Sequence, residues 1–438
     1  MGVEKWQLLV HVCQRWRTLV LLSPRRLNLQ LFCTPQTPAR DTVDVWPALP
    51  LTIRGSIDPS YTDNVIAALE GSSRVCLVDL GLADWQLEKV LAVMQVPFPE
   101  LTDLQLFSDS KPLPVIPDSF LDGSAPRLRV FDLSGISFPG LPKLHFSATH
   151  LVHLRLFNIP HSGYISPEAI VALISVLSSL EELTLKFQSP QSSPDRETRR
   201  PPPSRRSIIP ALKFLRFRGV IEYLEDLVTG IAAPQLDKLE ITLFNQIDFD
   251  ISRVAQFINR TPKLGKRDVA VQFNDDYVFV RLEPGTTIAI VCIEPDWQLS
   301  SIEQVCNSSP HPFSTVEQLY IEHQYSKLVW KDDAIENTLW LQFFLPFITV
   351  KNLYLYKQFA PGIAAALQEL DGGRITEVLP CLQNVLVKGL EQSRPFYEKI
   401  GQFVAARQLS GHPITISNLN RRLQLVSHVP HTSNLSVD

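Results

Sequence analysis

The sequence predicts an α/β fold: an irregular solenoid of short strands and helices behind a small helical cap. Three observations predict it. A six-residue pattern, apolar-x-x-apolar-x-apolar, returns along the chain behind a Pro, Ser or similar punctuating residue. Helical periodicity falls between its copies. The composition is rich in Pro and poor in Gly, 34 against 18. Such a chain is stopped and restarted often, because Pro fixes φ and ends helices. It is also short of the glycines that phosphate-cradling loops of large parallel-sheet enzymes need.

The copies run as follows. Pro99-Glu-Leu101-Thr-Asp-Leu104-Gln-Leu106 is the first clear one, then Pro126-Arg-Leu128-Arg-Val-Phe131-Asp-Leu133. Leu151-Val-His-Leu154-Arg-Leu156 and Leu180-Glu-Glu-Leu183-Thr-Leu185 follow. Pro210-Ala-Leu212-Lys-Phe-Leu215-Arg-Phe217 and Pro234-Gln-Leu236-Asp-Lys-Leu239-Glu-Ile241 continue the series. Late copies begin at Val316, Val350 and Leu382, and Pro262-Lys-Leu264 is a partial one. Most successive copies start 23 to 34 residues apart. Each copy alternates with period two, so each reads as a short strand.

Helices are expected between these strands. Ser166 supplies an N-cap, Pro167 the first helical position and Glu168 an acidic first turn, followed by Ile170, Leu173, Ile174 and Leu177 at helical spacing. Trp85, Leu87, Val90, Leu91 and Met94 fit a helix after Asp84, and Val254, Phe257 and Ile258 fit one after Asp250. Asp332 or Asp333 reads as the cap of a helix through Ile335, Leu339 and Phe343. Two segments depart from the pattern. Residues 188–206 hold no large apolar side chain and are expected to form a solvated, disordered loop. Within it, Ser189-Pro190 and Ser193-Pro194 have the form that proline-directed kinases modify. Residues 265–298 carry three closely spaced alternating runs, with Asn274-Asp-Asp and Glu283-Pro-Gly at the gaps. They read as a β-meander inserted in or replacing a repeat.

Composition excludes some functions. Hydrophobic residues are 45% and charged residues 20%, and 41 basic residues face 45 acidic ones for a net charge of −4. No global charge draws this chain to nucleic acid or an anionic membrane. Six scattered cysteines without a CxxC pair point to reduced thiols and away from a zinc site or a disulfide framework. No apolar stretch is long enough for a membrane span, and no signal-peptide pattern develops near Met1, so a cytoplasmic or nuclear location is expected. No GxSxG, Walker, GxGxxG or HExxH motif occurs. His150 and His153 flank strand leucines and read as side chains on a sheet. No catalytic, cofactor-binding or metal-binding residue is assigned. Tyr320, Tyr354 and Tyr356 fit either a binding surface or packing between repeats.

The repeated core resembles the LxxLxL unit of leucine-rich repeats, with the usual Asn or Cys a few positions on mostly missing. Near the N-terminus, Trp6, Leu9, Val10, Cys13, Trp16 and Val20 lie along one helical face, with Leu8, Val12 and Leu19 on another. Arg25 to Leu31 then alternates as a first strand. The run Val12-Cys13-Gln14-Arg15-Trp16-Arg17-Thr18-Leu19-Val20, followed by Ser23-Pro24-Arg25-Arg26-Leu27, resembles the C-terminal half of an F-box. It is similar to the form in fungal F-box proteins with degenerate leucine-rich repeats, as is the ending Gly411-His412-Pro413-Ile414-Thr415-Ile416. The L-P-x-E-I-type opening of that motif is absent, so the F-box reads as N-terminally truncated. The resemblance implies a substrate adaptor of an SCF-type cullin–RING ubiquitin ligase, docked on a SKP-type linker through Val12, Cys13, Trp16 and Leu19. The alternative is a stand-alone repeat scaffold without ligase docking. The expected layout is an F-box-like segment at 1–26, a solenoid at 27–425 and a flexible tail at 426–438.

Overall fold

In a computed structural model of the chain, the described residues are 13–22, 30–56, 59–108, 115–138, 148–190, 205–246, 249–264, 268–308, 313–323, 336–370, 372–389 and 394–419. The fold is mixed α/β with mostly parallel strands and, among the described residues, eleven α-helices. The chain divides into two compact units, Met1–Phe244 with Gln256–Leu264, and Asn245–Ala255 with Gly265–Asp438.

The first unit opens with helix α1 (Gln14–Leu22), strand β1 (Leu31–Cys33) and helix α2 (Ala39–Thr42). Strand β2 (Leu51–Ser56), helix α3 (Thr62–Glu70), strand β3 (Val75–Gly81) and helix α4 (Asp84–Val93) follow. Then come β4 (Asp103–Phe107), β5 (Val130–Ser134), β6 (His153–Ile159), helix α5 (Pro167–Ser175) and β7 (Glu182–Phe187). Strands β8 (Ser207–Ile208) and β10 (Ile231–Ala232) pair with each other, and between them lie β9 (Phe214–Gly219) and helix α6 (Ile221–Gly230). Strand β11 (Lys238–Leu243) ends the run. Nine of these strands are parallel neighbours in chain order, β1-β2-β3-β4-β5-β6-β7-β9-β11. Helix α2 lies beside α3, α3 beside α4, and α5 beside α6. Helix α7 (Ser252–Arg260) carries residues of both units.

The second unit contains the expected meander. Strands β12 (Asp268–Phe273), β13 (Tyr277–Leu282) and β14 (Thr286–Val291) are antiparallel, and helix α8 (Pro295–Ser308) packs on β13 and β14. Strand β15 (Gln318–His323) then joins β12 in parallel. Helix α9 (Asn337–Phe344), β16 (Asn352–Tyr356), helix α10 (Ala360–Gln368), β17 (Asn384–Lys388), helix α11 (Arg394–Leu409) and β18 (Thr415–Leu419) complete the unit. Strands β15 to β18 are parallel in chain order, and helices α8 to α11 lie each beside the next.

The repeated pattern sets this register. Its second apolar residues are partners across neighbouring strands: Leu104, Phe131, Leu154, Leu183, Leu215 and Leu239 form one row, and Leu319, Leu353 and Val385 another. All are buried, as are the first and third apolar residues of the copies named above. A slip of one residue would turn the whole set to the opposite face. Two further copies lie upstream: Val75, Val78 and Leu80 repeat the pattern on β3, and Leu51 and Ile53 are its counterpart on β2.

The prolines ahead of the strands have a definite job. The N–H of Leu101 donates to Phe98 O, and those of Leu128, Leu236, Leu264 and Leu382 donate to the carbonyls of Ala125, Ala233, Thr261 and Leu379. Each is the closing bond of a four-residue turn. Pro99, Pro126, Pro234, Pro262 and Pro380 stand at its second position, where a φ near −65° is wanted. Arginines satisfy carbonyls of the neighbouring repeat. Arg74 donates to Leu49 O and Pro47 O, Arg260 to Ile231 O and Val228 O, and buried Arg407 to the carbonyls of Ile375, Leu379, Pro380 and Leu382. Gly135, with φ +71°, is required where β5 ends, because a Cβ there would lie 1.9 Å from Ser108 O.

The helical expectations meet mixed detail. Ser166 Oγ accepts from Ala169 N at 3.2 Å, and Asp250 Oδ1 accepts from Ser252 N at 3.0 Å ahead of α7. Leu87, Val90, Leu91 and Met94 are buried along α4, whereas Trp85 is exposed. Helix α9 starts at Asn337 with Glu336 before it, while Asp332, Asp333 and Ile335 lie outside the described residues. The first described strand covers Leu31–Cys33, displaced toward the C-terminus from the run expected at Arg25 to Leu31; residues 23–29 lie outside the description. So do 191–204 of the expected loop and the whole expected tail.

Leu215 is fully buried in its row between Leu183 and Leu239, so Leu215→Ala should lower unfolding free energy by about 2–5 kcal/mol. Pro234→Ala removes a preset turn residue and should cost only about 0.4–1 kcal/mol. Urea unfolding of both variants checks the ranking.

Candidate functional site

In both units the residues between the apolar positions point away from the core and stand side by side. In the first unit the residues between the second and third apolar positions form one row. Asp79, Gln105, Asp132, Arg155, Thr184, Arg216 and Glu240 are successive cross-strand partners, with Arg54 next to Asp79. The row is polar throughout, and where two charged residues are direct partners, as Arg54 and Asp79, Asp132 and Arg155, or Arg216 and Glu240, they are opposite in sign.

Its centre is an ion-pair network. Arg155 donates through Nε to Glu182 Oε1 at 2.8 Å and through Nη2 to Oε2 at 2.5 Å, a two-pronged contact. His153 Nδ1 lies 3.3 Å from the same carboxylate. Two strands on, Arg216 Nε donates to Glu240 Oε2 at 2.6 Å, and Lys238 Nζ sits 2.7 Å from Oε1. Burial pushes the Glu182 carboxyl up, but the Arg155 hydrogen bonds and the charges of Arg155, His153 and Arg216 outweigh it and hold the group below its ordinary range. Glu240 is lowered in the same way by Lys238 and Arg216 against its own burial. The Glu182 hydrogen bond raises Arg155.

Asp132 is the exception. It is 5% exposed, and its Oδ1 has no hydrogen-bond partner. Burial pushes its carboxyl up to about 7; Arg155 opposes this, while Glu182 and Asp79 add to it. A carboxyl that is neutral on one side of neutrality and charged on the other stands in the middle of the row.

The next row lies one step beyond the third apolar position. Phe107, Ser134 and Phe157 lead to Lys186, Arg218 and Thr242. Lys186 Nζ lies 5.3 Å over the Phe157 ring, and the Arg218 guanidinium lies 5.2 Å over Phe244.

The second unit presents an aromatic and amide surface. Tyr320 and Tyr354 stack with centroids 4.2 Å apart and planes at 10°, and both hydroxyls donate to Gln318 Oε1. Asn384 Nδ2 donates to Asn352 Oδ1 at 2.8 Å, and Gln272 hydrogen-bonds Glu322. Lys388 Nζ donates to Tyr356 Oη at 2.7 Å and lies over its ring. The three tyrosines singled out in the sequence are half-exposed on this strand surface. Burial and the neighbouring Tyr354 push Tyr320 above its ordinary range, so its hydroxyl stays protonated.

On helix α1, Cys13, Trp16 and Leu19 are exposed, Trp16 at 48% and Leu19 at 55%. Every described side chain from 13 to 19 is exposed, including the part of the apolar stripe that falls there, Cys13 and Trp16. Val12 lies outside the described residues. Ser189 Oγ shares a 3.0 Å hydrogen bond with His161 Nε2, and Ser193 lies outside the description. No group of three or more His, Cys, Asp or Glu among the described residues could hold a metal ion, and no described helix is long and apolar enough to cross a membrane. The charged rows were missed in the sequence, although aligning the copies at their second apolar residue reads them off directly. Compared with known proteins, the chain matches no family model and no curated sequence.

The Asp132 carboxyl sets a pH dependence. Its folded pKa is raised above the unfolded value, so its favourable contribution is complete below pH ~4 and lost as pH rises through ~7. Asp132→Asn should therefore flatten the loss of stability across that window and stabilise the protein at pH 8 by on the order of 3 kcal/mol. Urea unfolding of both forms at pH 5 and pH 8 measures the difference, which cancels the titration of all other groups.

Proposed function

We propose that this chain is a non-enzymatic protein-recognition subunit, a substrate adaptor of an SCF-type cullin–RING ubiquitin ligase acting in the cytoplasm or nucleus. Its body is read as a leucine-rich-repeat-like solenoid and α1 as part of an F-box-like cap. The observation that carries the recognition reading is the strand surface of each unit, where polar and aromatic side chains stand in cross-strand rows on rigid backbone. Parallel strands laid down in chain order present one side chain per strand at each height, which suits contact with an extended or folded polypeptide. Ion pairs there hold the long side chains in place before any partner arrives, so less ordering entropy is lost on binding.

The adaptor reading rests on the exposed side chains of α1. Trp16 and Leu19 stand on a helix whose described side chains are all exposed. Exposed aromatic anchors of this kind carry much of the free energy at protein interfaces. In this reading Cys13, Trp16 and Leu19, with Val12, meet the SKP-type linker, and the strand surfaces hold the substrate.

Titration calorimetry of the purified chain with a SKP-type linker tests the proposal. Binding should be saturable, and the Trp16→Ala/Leu19→Ala double variant should weaken it at least tenfold with stability unchanged within about 0.5 kcal/mol. If neither this chain nor a form extended with the coding sequence upstream of Met1 binds the linker, the adaptor reading is wrong and the stand-alone scaffold replaces it.

A further inference from the structure

Lys186 and Arg218 are direct cross-strand partners on β7 and β9. Their Cα atoms are thus about 4.8 Å apart and their side chains share one face. Like charges in this position repel, by roughly 0.2–1 kcal/mol in an ordinary sheet. Elsewhere on this surface cations stand against carboxylates: Arg155 with Glu182, Arg216 and Lys238 with Glu240. Among the described residues no carboxylate lies within ion-pair distance of Lys186 or Arg218, and each lies over an aromatic ring, Phe157 and Phe244. Arg218 Nε is buried and makes no hydrogen bond, a donor removed from water without replacement. Burial lowers the pKa of both groups; the charges of Arg216 and Arg218 lower Lys186 further and outweigh the opposing charge of Glu240.

We propose that Lys186 and Arg218 bind a single phosphomonoester carried on a partner polypeptide. This rests on reading the strand surface as one that receives polypeptide. Two cations match the charge of about −1.5 to −2 on a phosphomonoester better than the single charge of a carboxylate. The guanidinium offers a planar fork and the ammonium a compact point charge, which together can meet several phosphoryl oxygens. Thr242, the cross-strand partner of Arg218, adds a hydroxyl beside them. A nucleic-acid backbone fits worse. It would bring regularly spaced phosphates against Asp79, Glu182 and Glu240, which interrupt the basic residues on the same face.

The probe is the pentapeptide Gly-Gly-phosphoserine-Gly-Gly, titrated calorimetrically at about 50 mM salt, where charge pairing is least screened. Its serine and aspartate analogues and a thymidine oligonucleotide are titrated in parallel. The phosphopeptide should bind at least tenfold more tightly than the aspartate peptide, and the serine peptide should give no saturable heat. Lys186→Gln/Arg218→Gln should lose at least tenfold in affinity, with thermal melting no lower than wild type because a repulsion is removed. Lys213→Gln, at an exposed ion pair with Glu181, should leave affinity unchanged. The proposal is overturned by absent phosphopeptide binding, by equal binding of the aspartate peptide, by affinity unchanged in the double variant, or by tighter oligonucleotide binding that the double variant abolishes. Linker binding measured on the same samples separates this failure from failure of the adaptor reading.

Discussion

Everything in this molecule depends on the burial of one apolar row per sheet height. Leu104, Phe131, Leu154, Leu183, Leu215 and Leu239 touch only because each strand pairs in register with the next. A single short strand has too little apolar surface to stay folded. Stacked in series, each fully buried leucine contributes roughly 1.5–3 kcal/mol, and the sum offsets the entropy of ordering the connections. Register and burial therefore support each other: the row is buried because it is aligned, and it is aligned because a slip would expose all of it.

That constraint explains the composition. Each strand must begin at a fixed height, and a turn closed by the first apolar N–H sets it. Proline at the second turn position is already in the required conformation, which accounts for Pro99, Pro126, Pro234, Pro262 and Pro380. The loops so drawn together leave carbonyls without partners. Arg74, Arg260 and Arg407 reach back about one repeat to satisfy them, and buried Arg407 serves four at once. The low glycine content fits the same design, since few positions require a left-handed backbone; Gly135, pressed against Ser108 O, is one that does.

The same alignment builds the surface. Any side chain placed between the apolar positions is brought beside its counterparts on both neighbouring strands, so chemistry separated by more than 20 residues in sequence becomes a row. Charged neighbours then either neutralise each other, as Arg155 and Glu182 do, or face a like charge, as Lys186 and Arg218 do. A short acid such as Asp132, caught between longer neighbours, loses its water and with it much of its acidity.

The sequence by itself determined most of the strands and some of the helices. Period-two alternation, turn prolines and caps such as Ser166 are local signals, and they act within a few residues. The β-meander was legible for the same reason, its three alternating runs being separated by turn residues at Asn274-Asp-Asp and Glu283-Pro-Gly. Val75–Gly81 and Leu51–Ser56 carry further copies that were not among those read from the sequence. Tertiary structure decided what the side chains do to one another. It left Trp16 and Leu19 exposed, stacked Tyr320 on Tyr354, buried Asp132 and set Lys186 opposite Arg218. Charge, solvation and exposure depend on neighbours in space, and only the pairing of strands says which residues those neighbours are.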